Sequence, residues 1–437
     1  MRRLYFLLCT AGLTLLFLVA MWQDTNREWT AYQRQFRKTL AKDERRGLPG
    51  GIQQVILKDL DRVDRCTTCH VAVERPQLAL AEEPFTAHPG DYLKWHPAEK
   101  FGCTICHGGQ GLATEVKAAH GDVPHWEQPL LRGPLVQASC NQCHGDLQQI
   151  AAQAPVLVEG KRLFEAKGCY GCHAVKDFGQ TVSVDLTQVG SKSHLLMAAD
   201  FEMMPPPHDR IHWVKTKLNH PRQLNPGVRQ EDLPLGEEEV FSSAMPHFGL
   251  EPDEIEALTA YLLGLTELDP PASYTTPPRE QAAPVFASAV EQGRAVFERL
   301  GCTGCHGAEG VGGRKNWNAG LGQEVPSLLY VKAYYGSDVE SLKSLIRNGR
   351  QPVPRGDVHK PNPSLYMPAW KDRLDDQALD ALVAYLFSLA ERLPQPPAVL
   401  VPAGGDAEPA EAPPVEGAPE AREEGTTASR IVNRRFN

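Results

Sequence analysis

The feature that most constrains this chain is a five-residue pattern that occurs five times. The copies are Cys66-Thr-Thr-Cys69-His70, Cys103-Thr-Ile-Cys106-His107, Cys140-Asn-Gln-Cys143-His144, Cys169-Tyr-Gly-Cys172-His173 and Cys302-Thr-Gly-Cys305-His306. The chain has 437 residues and 11 cysteines, so only Cys9 lies outside the pattern. An odd count argues against a purely disulfide framework. C-x-x-C-H is the attachment signature of c-type haem. Two thiols three positions apart form thioethers with the two vinyl groups of one porphyrin. The histidine that follows then meets the iron from the same side. Two other chemistries use C-x-x-C. A structural zinc takes two such pairs per metal and needs no trailing histidine. A dithiol redox site occurs once, near a βαβ pattern. Five copies, each with its histidine, point to five covalently bound haem c. His70, His107, His144, His173 and His306 are then the proximal iron ligands.

The start of the chain suits an exported protein. Arg2 and Arg3 precede Leu4–Trp22, which carries no charge. As a helix that run spans about 28 Å, enough for a bilayer core. A cleavable leader has a shorter apolar stretch and a small-residue cleavage site; only Leu18-Val19-Ala20 resembles one. The expectation is an uncleaved transmembrane anchor over 1–23, positive end inside, with the bulk of the chain exported. Cys9 reads as an apolar residue of the span. The juxtamembrane segment and connector cover 24–62. Within it Trp29, Tyr32, Phe36 and Leu40 recur at helical spacing. Such a helix either rests on the membrane or a partner, or packs on its own domain. The pattern favours neither.

The first three motifs lie in a module over 63–150, their starts 37 residues apart both times. The intervening sequence is rich in Pro, Gly and His and poor in periodic apolar runs. It cannot build a conventional core, so covalently held cofactors must supply one. After residue 155 the character changes. Gly160–Cys169 and Gly293–Cys302 share Gly, Phe, Glu, Gly and the motif at a constant offset of 133, an internal duplication. Each copy ends with Met-Pro, at Met245 and Met367, before an apolar helix whose start signals are Pro252 and Asp375. The copies span 155–268 and 285–392, joined by a Pro-rich linker over 269–284. A Pro, Ala, Gly and Glu tail over 393–437 reads as disordered, with Ile431–Phe436 as a candidate docking element. The fold class expected is mainly α: one transmembrane helix, a loop-rich multihaem module and two all-α domains. The apolar fraction of 42% excludes a polytopic membrane protein.

Each haem iron has a sixth position. In the duplicated half Met245 and Met367 are the candidates, because the Met-Pro context repeats; Met197, Met203 and Met204 compete in the first copy. No methionine lies between Met21 and Met197. The first three haems therefore draw on His88, His96, His120 and His125, four residues for three positions. His88 and His125 each follow a motif histidine by 18 residues. The assignment stays open, as does one open iron. His194, His208, His212, His220, His247 and His359 read as surface or supporting residues.

On these residues the two copies resemble class I mono-haem cytochrome c domains. The whole resembles a membrane-anchored multihaem cytochrome c of bacterial respiratory chains. Val63–His70, Phe101–Gly111 and His125–Leu131 are similar to cytochromes that work with quinol-oxidising bc-type complexes. The chain departs from the quinol-dehydrogenase tetrahaem family, in which a methionine ligand follows the first motif; here Val71-Ala72 follow. The resemblance implies a single-pass protein of the bacterial cytoplasmic membrane, its bulk in the periplasm or on the outer face. It would carry electrons from a quinol-oxidising cytochrome b-type complex to a soluble cytochrome c or terminal oxidase. That is electron transport by a subunit of an oxidoreductase complex rather than by a stand-alone enzyme, with no nucleic acid partner. The net charge of -9 suits a basic docking partner. Two other readings stand beside it: a multihaem reductase with one open haem site, and an assembly subunit off the main electron route.

Overall fold

The computed structural model describes residues 2–124, 126–176, 178–180, 183–221, 223–224, 245–277, 284–312, 324–350 and 365–392. His125, His359, the second part of the linker and the whole C-terminal tail lie outside these residues. Residues 1–393 and 394–437 are separate units, and all the described residues belong to the first.

Helix α1 (Arg2–Thr25) is long and apolar enough to cross a membrane, and the rest of the chain buries none of it. Helix α2 (Glu28–Thr39) follows after a two-residue break. It packs on its own domain, which decides the alternative that its periodicity left open. Phe36 and Leu40 form a small core with Ala72 and Phe85. The Gln33 side chain donates to Gly51 O at 2.7 Å and to Thr68 O, inside the first motif, at 3.0 Å. Glu28 accepts from Val116 N at 2.8 Å. The membrane-proximal helix is thereby tied to the first motif and to the segment after the second.

The module beyond it is mostly turns. Strands β1 (Val55–Leu57) and β2 (Arg62–Asp64) pair antiparallel, with Val55 opposite Asp64. A second small cluster, Leu57, Leu60 and Ile105, sits beside the hairpin. These two clusters are modest, as expected of a segment without periodic apolar runs.

The duplicated half is helical. The first copy contains α3 (Pro155–Ala166), α4 (Arg210–Asn219) and α5 (Pro252–Leu263). The second contains α6 (Ala289–Arg299), α7 (Val339–Asn348) and α8 (Asp376–Ser388). The start signals act as expected. Pro252 opens α5 behind a Glu251/Glu254 capping box, and Asp375 accepts from Ala378 N at 2.7 Å at the head of α8. In each copy the first helix crosses the last at a glycine. A Cβ on Gly160 would lie 2.0 Å from Ala257 O, and one on Gly293 would lie 1.9 Å from Ala381 O. Tyr261 and Tyr385 flank the two crossings alike.

Three tertiary joints differ from a reading in independent modules. The third motif shares its core with the first copy: Leu135, Ala138 and Leu147 are buried with Leu157, Phe164 and Leu258. The first part of the linker folds back on the module. Tyr274 packs edge-on against Phe101 at 5.3 Å, and Thr276 forms a parallel bridge with His144. Glu127 adds the third tie, accepting from Ser193 Oγ at 2.5 Å and His194 N at 3.0 Å.

Candidate haem-binding sites

None of the ten motif cysteines is in a disulfide, and no group of three or more His, Cys, Asp or Glu that would hold a bare metal occurs among the described residues. Burial pushes the Cys69 and Cys140 thiols up to about 11 and those of Cys106 and Cys302 to about 12. Reactive dithiols have thiols shifted the other way. Burial also holds the imidazoles of His70, His107, His144, His173 and His306 below their ordinary range. That favours the neutral imidazole, the form that ligates a metal.

In the module each motif histidine faces a different histidine from outside the motifs. His70 lies 6.4 Å from His120, His107 lies 6.0 Å from His88 and His144 lies 6.1 Å from His96, measured between ring centres. Two imidazoles on one metal, with bonds of about 2 Å and ring centres about 1.1 Å further out, stand about 6.2 Å apart. Spacing alone does not define such a site, since His220 and the exposed His247, neither of which follows a C-x-x-C pair in sequence, are 6.1 Å apart. The one-to-one matching of three motif histidines carries the argument. Hydrogen bonds to backbone carbonyls orient two of the partners. His88 Nδ1 donates to Pro89 O at 2.9 Å and His96 Nδ1 to Tyr92 O at 3.3 Å, leaving Nε2 of each ring for a metal. A cleft of about 500 Å3 opens beside His70, with Phe36, Val55, Arg37 and Arg75 in its wall. That is within the range of cofactor pockets, roughly 300–1,000 Å3; Glu74 and Glu99 line the cleft beside the two arginines.

In the duplicated half the motif histidines are held in one tautomer. His173 Nδ1 donates to Val184 O at 2.7 Å and His306 Nδ1 to Pro326 O at 3.4 Å. Met245 packs on the core that Cys169 also touches, and Met367 on the core that Cys302 touches. Of the competitors, Met197 and Met204 are buried apart from that core, and Met203 is exposed. In the module two thiols and two facing imidazoles at each motif suit haem c; at the last two motifs the thiols and the motif imidazole suit it, with Met245 and Met367 as candidates for the sixth position.

The motifs also lie next to one another. Cys66 and Cys103 are in side-chain contact. The Cys106 thiol feels those of Cys140 and Cys143. Cys140 and Cys169 pack on one core. The last two motifs meet backbone to backbone. A Cβ on Gly168 would lie 2.0 Å from Gly304 N, and one on Gly171 would lie 2.4 Å from Gly301 O; the reciprocal contacts are 2.3 Å each. Gly168 and Gly171 are the duplicates of Gly301 and Gly304, so the contact is isologous, each copy offering the same patch. The duplication is visible in sequence, yet its role as a mutual docking surface is not. Asp64 and Glu127 likewise carried no sequence signal of their own beyond lying in segments that resemble a known family.

Comparison with known proteins agrees with this chemistry. Residues 157–266 and 290–390 match the family model for cytochrome c. The chain is 25% identical over 248 residues to the Cbb3-type cytochrome c oxidase subunit CcoP of Azospirillum brasilense, covering 56% of this chain and 66% of that protein. It is 26% identical over 235 residues to the subunit of the same name in Azospirillum sp. (strain B510), covering 53% and 61%. Over 52 residues it is 38% identical to cytochrome c6 of Bryopsis maxima, 12% of this chain and 43% of that protein. The chain thus spans about two thirds or less of the length of these relatives. No solved structure matches it. Residues 157–266 and 290–390 are two cytochrome c domains, which imply covalently bound haem c, in a chain with an N-terminal apolar helix and relatives among respiratory oxidase subunits.

Proposed function

We propose that this chain is a membrane-anchored pentahaem electron carrier, with one haem c on each C-x-x-C-H motif. The observation that carries this reading is the pairing of His70 with His120, His107 with His88, and His144 with His96. His173 and His306 would be completed by Met245 and Met367. Bound haem iron supplies a one-electron couple; the protein's part is to tether, orient and space it. The cysteines fix each porphyrin, and backbone carbonyls fix the imidazoles of His88, His96, His173 and His306. The Gly168/Gly304 and Gly171/Gly301 contacts allow the last two motifs to approach as closely as backbone permits.

Thioether ligation raises a haem's reduction potential relative to imidazole. The module should then hold the low-potential group and the cytochrome c domains the high-potential group. That order favours flow from the membrane end outward, from a quinol-oxidising cytochrome b-type complex to a soluble cytochrome c or a terminal oxidase on the exported side. The oxidase subunits among the relatives support the last of these. A reductase with an open iron finds no support in the module, where every motif histidine has a partner.

The test is the intact mass of the chain purified in mild detergent, with haem peptides mapped and a redox titration run on the same sample. Five haems in two potential groups are expected. Two haems, or His/Met haems titrating below the rest, overturn the reading. Co-purification of a cytochrome b and an iron–sulfur protein checks the donor.

A further inference from the structure

Asp64 is the most deeply buried acid among the described residues, at 2% exposure. It ends β2, two residues before Cys66, and its side chain reaches the second motif. Oδ2 accepts from Cys103 N at 2.9 Å and from the Thr104 hydroxyl at 3.2 Å. Thr104 N lies 3.3 Å from both carboxylate oxygens, and Cys66 Sγ lies 3.6 Å from Oδ1. The carboxylate is therefore wedged between the attachment cysteines of two motifs that themselves touch.

The surrounding backbone is shaped to this side chain. Gly102 has φ +67°, and a Cβ there would lie 2.1 Å from Asp64 Oδ2. A Cβ on Gly111 would lie 2.8 Å from Oδ1 and 2.3 Å from Val63 O. Among the described residues no lysine or arginine forms an ion pair with Asp64; neutral N–H and O–H groups hold the charge. A buried charge without a counter-ion acts strongly on whatever lies near it, because little water is present to screen it. Here the near neighbours are the tethers of the first two motifs. A fixed negative charge favours the ferric over the ferrous iron and so lowers the potential.

Resting on the pentahaem reading, we propose that Asp64 is a positioning and tuning residue shared by the first two haems: it brackets their attachment motifs and holds both potentials below the value that bis-histidine ligation alone would give. A bracket without electrostatic action is the competing role, and two variants of the full-length protein separate them. Asp64→Asn keeps the shape and removes the charge. Thr104→Val keeps the charge and removes one donor that offsets it. Spectroelectrochemical titration in mild detergent reads both. The expected result is an upward shift of two low-potential haems in Asp64→Asn and a downward shift of the same two in Thr104→Val, with the other haems unmoved and the haem-to-polypeptide ratio unchanged. Fully loaded Asp64→Asn with unshifted potentials overturns the proposal, as does an upward or absent shift in Thr104→Val. If Asp64→Asn fails to accumulate, Thr104→Val alone decides. Failure of the underlying reading looks different: wild-type peptides containing residues 66–70 or 103–107 would lack the mass of haem.

Discussion

A histidine can ligate an iron only while it is neutral and correctly turned, and neighbours here favour both conditions. Burial holds the five motif imidazoles below their ordinary range, and carbonyl oxygens fix Nδ1 as the donor in His88, His96, His173 and His306. Each non-motif partner should therefore be individually replaceable without loss of the covalent cofactor. In His88→Ala, His96→Ala and His120→Ala, one haem per chain is expected to turn high-spin, read by optical and EPR spectra at an unchanged haem ratio. A variant that stays wholly low-spin would refute that pairing. The methionines can be tested in the same way. Met245→Ala should lower one high potential and alter its spectrum, whereas Met204→Ala should change neither. The reverse result would move the ligand to the Pro-rich loop around Met204.

Among the elements, the helix crossings and α2 do the most to position the motifs. Gly160 and Gly293 are buried where a first helix meets a carbonyl of the last, so no side chain fits there. Gly293→Ala should destabilise the second cytochrome c domain by about 1–3 kcal/mol through overpacking, seen as a lower Tm for that domain. Helix α2 relies on Phe36, fully enclosed against Phe85 at a ring separation of 5.4 Å. Phe36→Ala should cost about 3–5 kcal/mol. Because α2 also bonds Thr68 inside the first motif, the variant should show faster proteolysis of residues 28–50. Unchanged protease sensitivity would mean that α2 is held by other contacts.

For the molecule as a whole, the two cytochrome c domains are docked and not merely tethered. Gly168 and Gly301 both have φ +74°, and each backs onto the other copy's motif. Alanine at either would strain its own backbone and drive a methyl into the facing chain. Gly301→Ala is expected to part the domains. The measurements are a larger radius of gyration by small-angle scattering and slower reduction of the last haem after rapid photoreduction of the first. An unchanged rate with separated domains would show that this contact is not on the electron route. Glu127 acts at the other joint, between the module and the first domain. Its hydrogen bond from Ser193 holds its carboxyl below the usual carboxylate range. Such a group contributes stability above its unfolded value and loses it as pH falls through the folded one. Glu127→Gln should accordingly loosen that joint at neutral pH and flatten its acid sensitivity, read as the pH dependence of Tm.

Local chemistry was written in the sequence. Five repeated motifs marked haem c as the expected cofactor and their cysteines as its expected tethers, a 133-residue offset revealed two copies of one domain, and Pro252 and Asp375 marked helix starts, because each depends on residues a few positions apart or on a repeat. Periodicity could not say which way α2 faces, since an amphipathic stripe reads alike against lipid, a partner or its own domain. The sequence offered four histidines for three irons and no order among them, because His120 meets His70 across fifty residues of turns. Nothing in it marked Asp64 as a bridge between two motifs, or the glycines beside Cys169 and Cys302 as facing one another. Those are contacts between distant segments, decided by how the clusters pack and by where a missing Cβ lets two backbones meet.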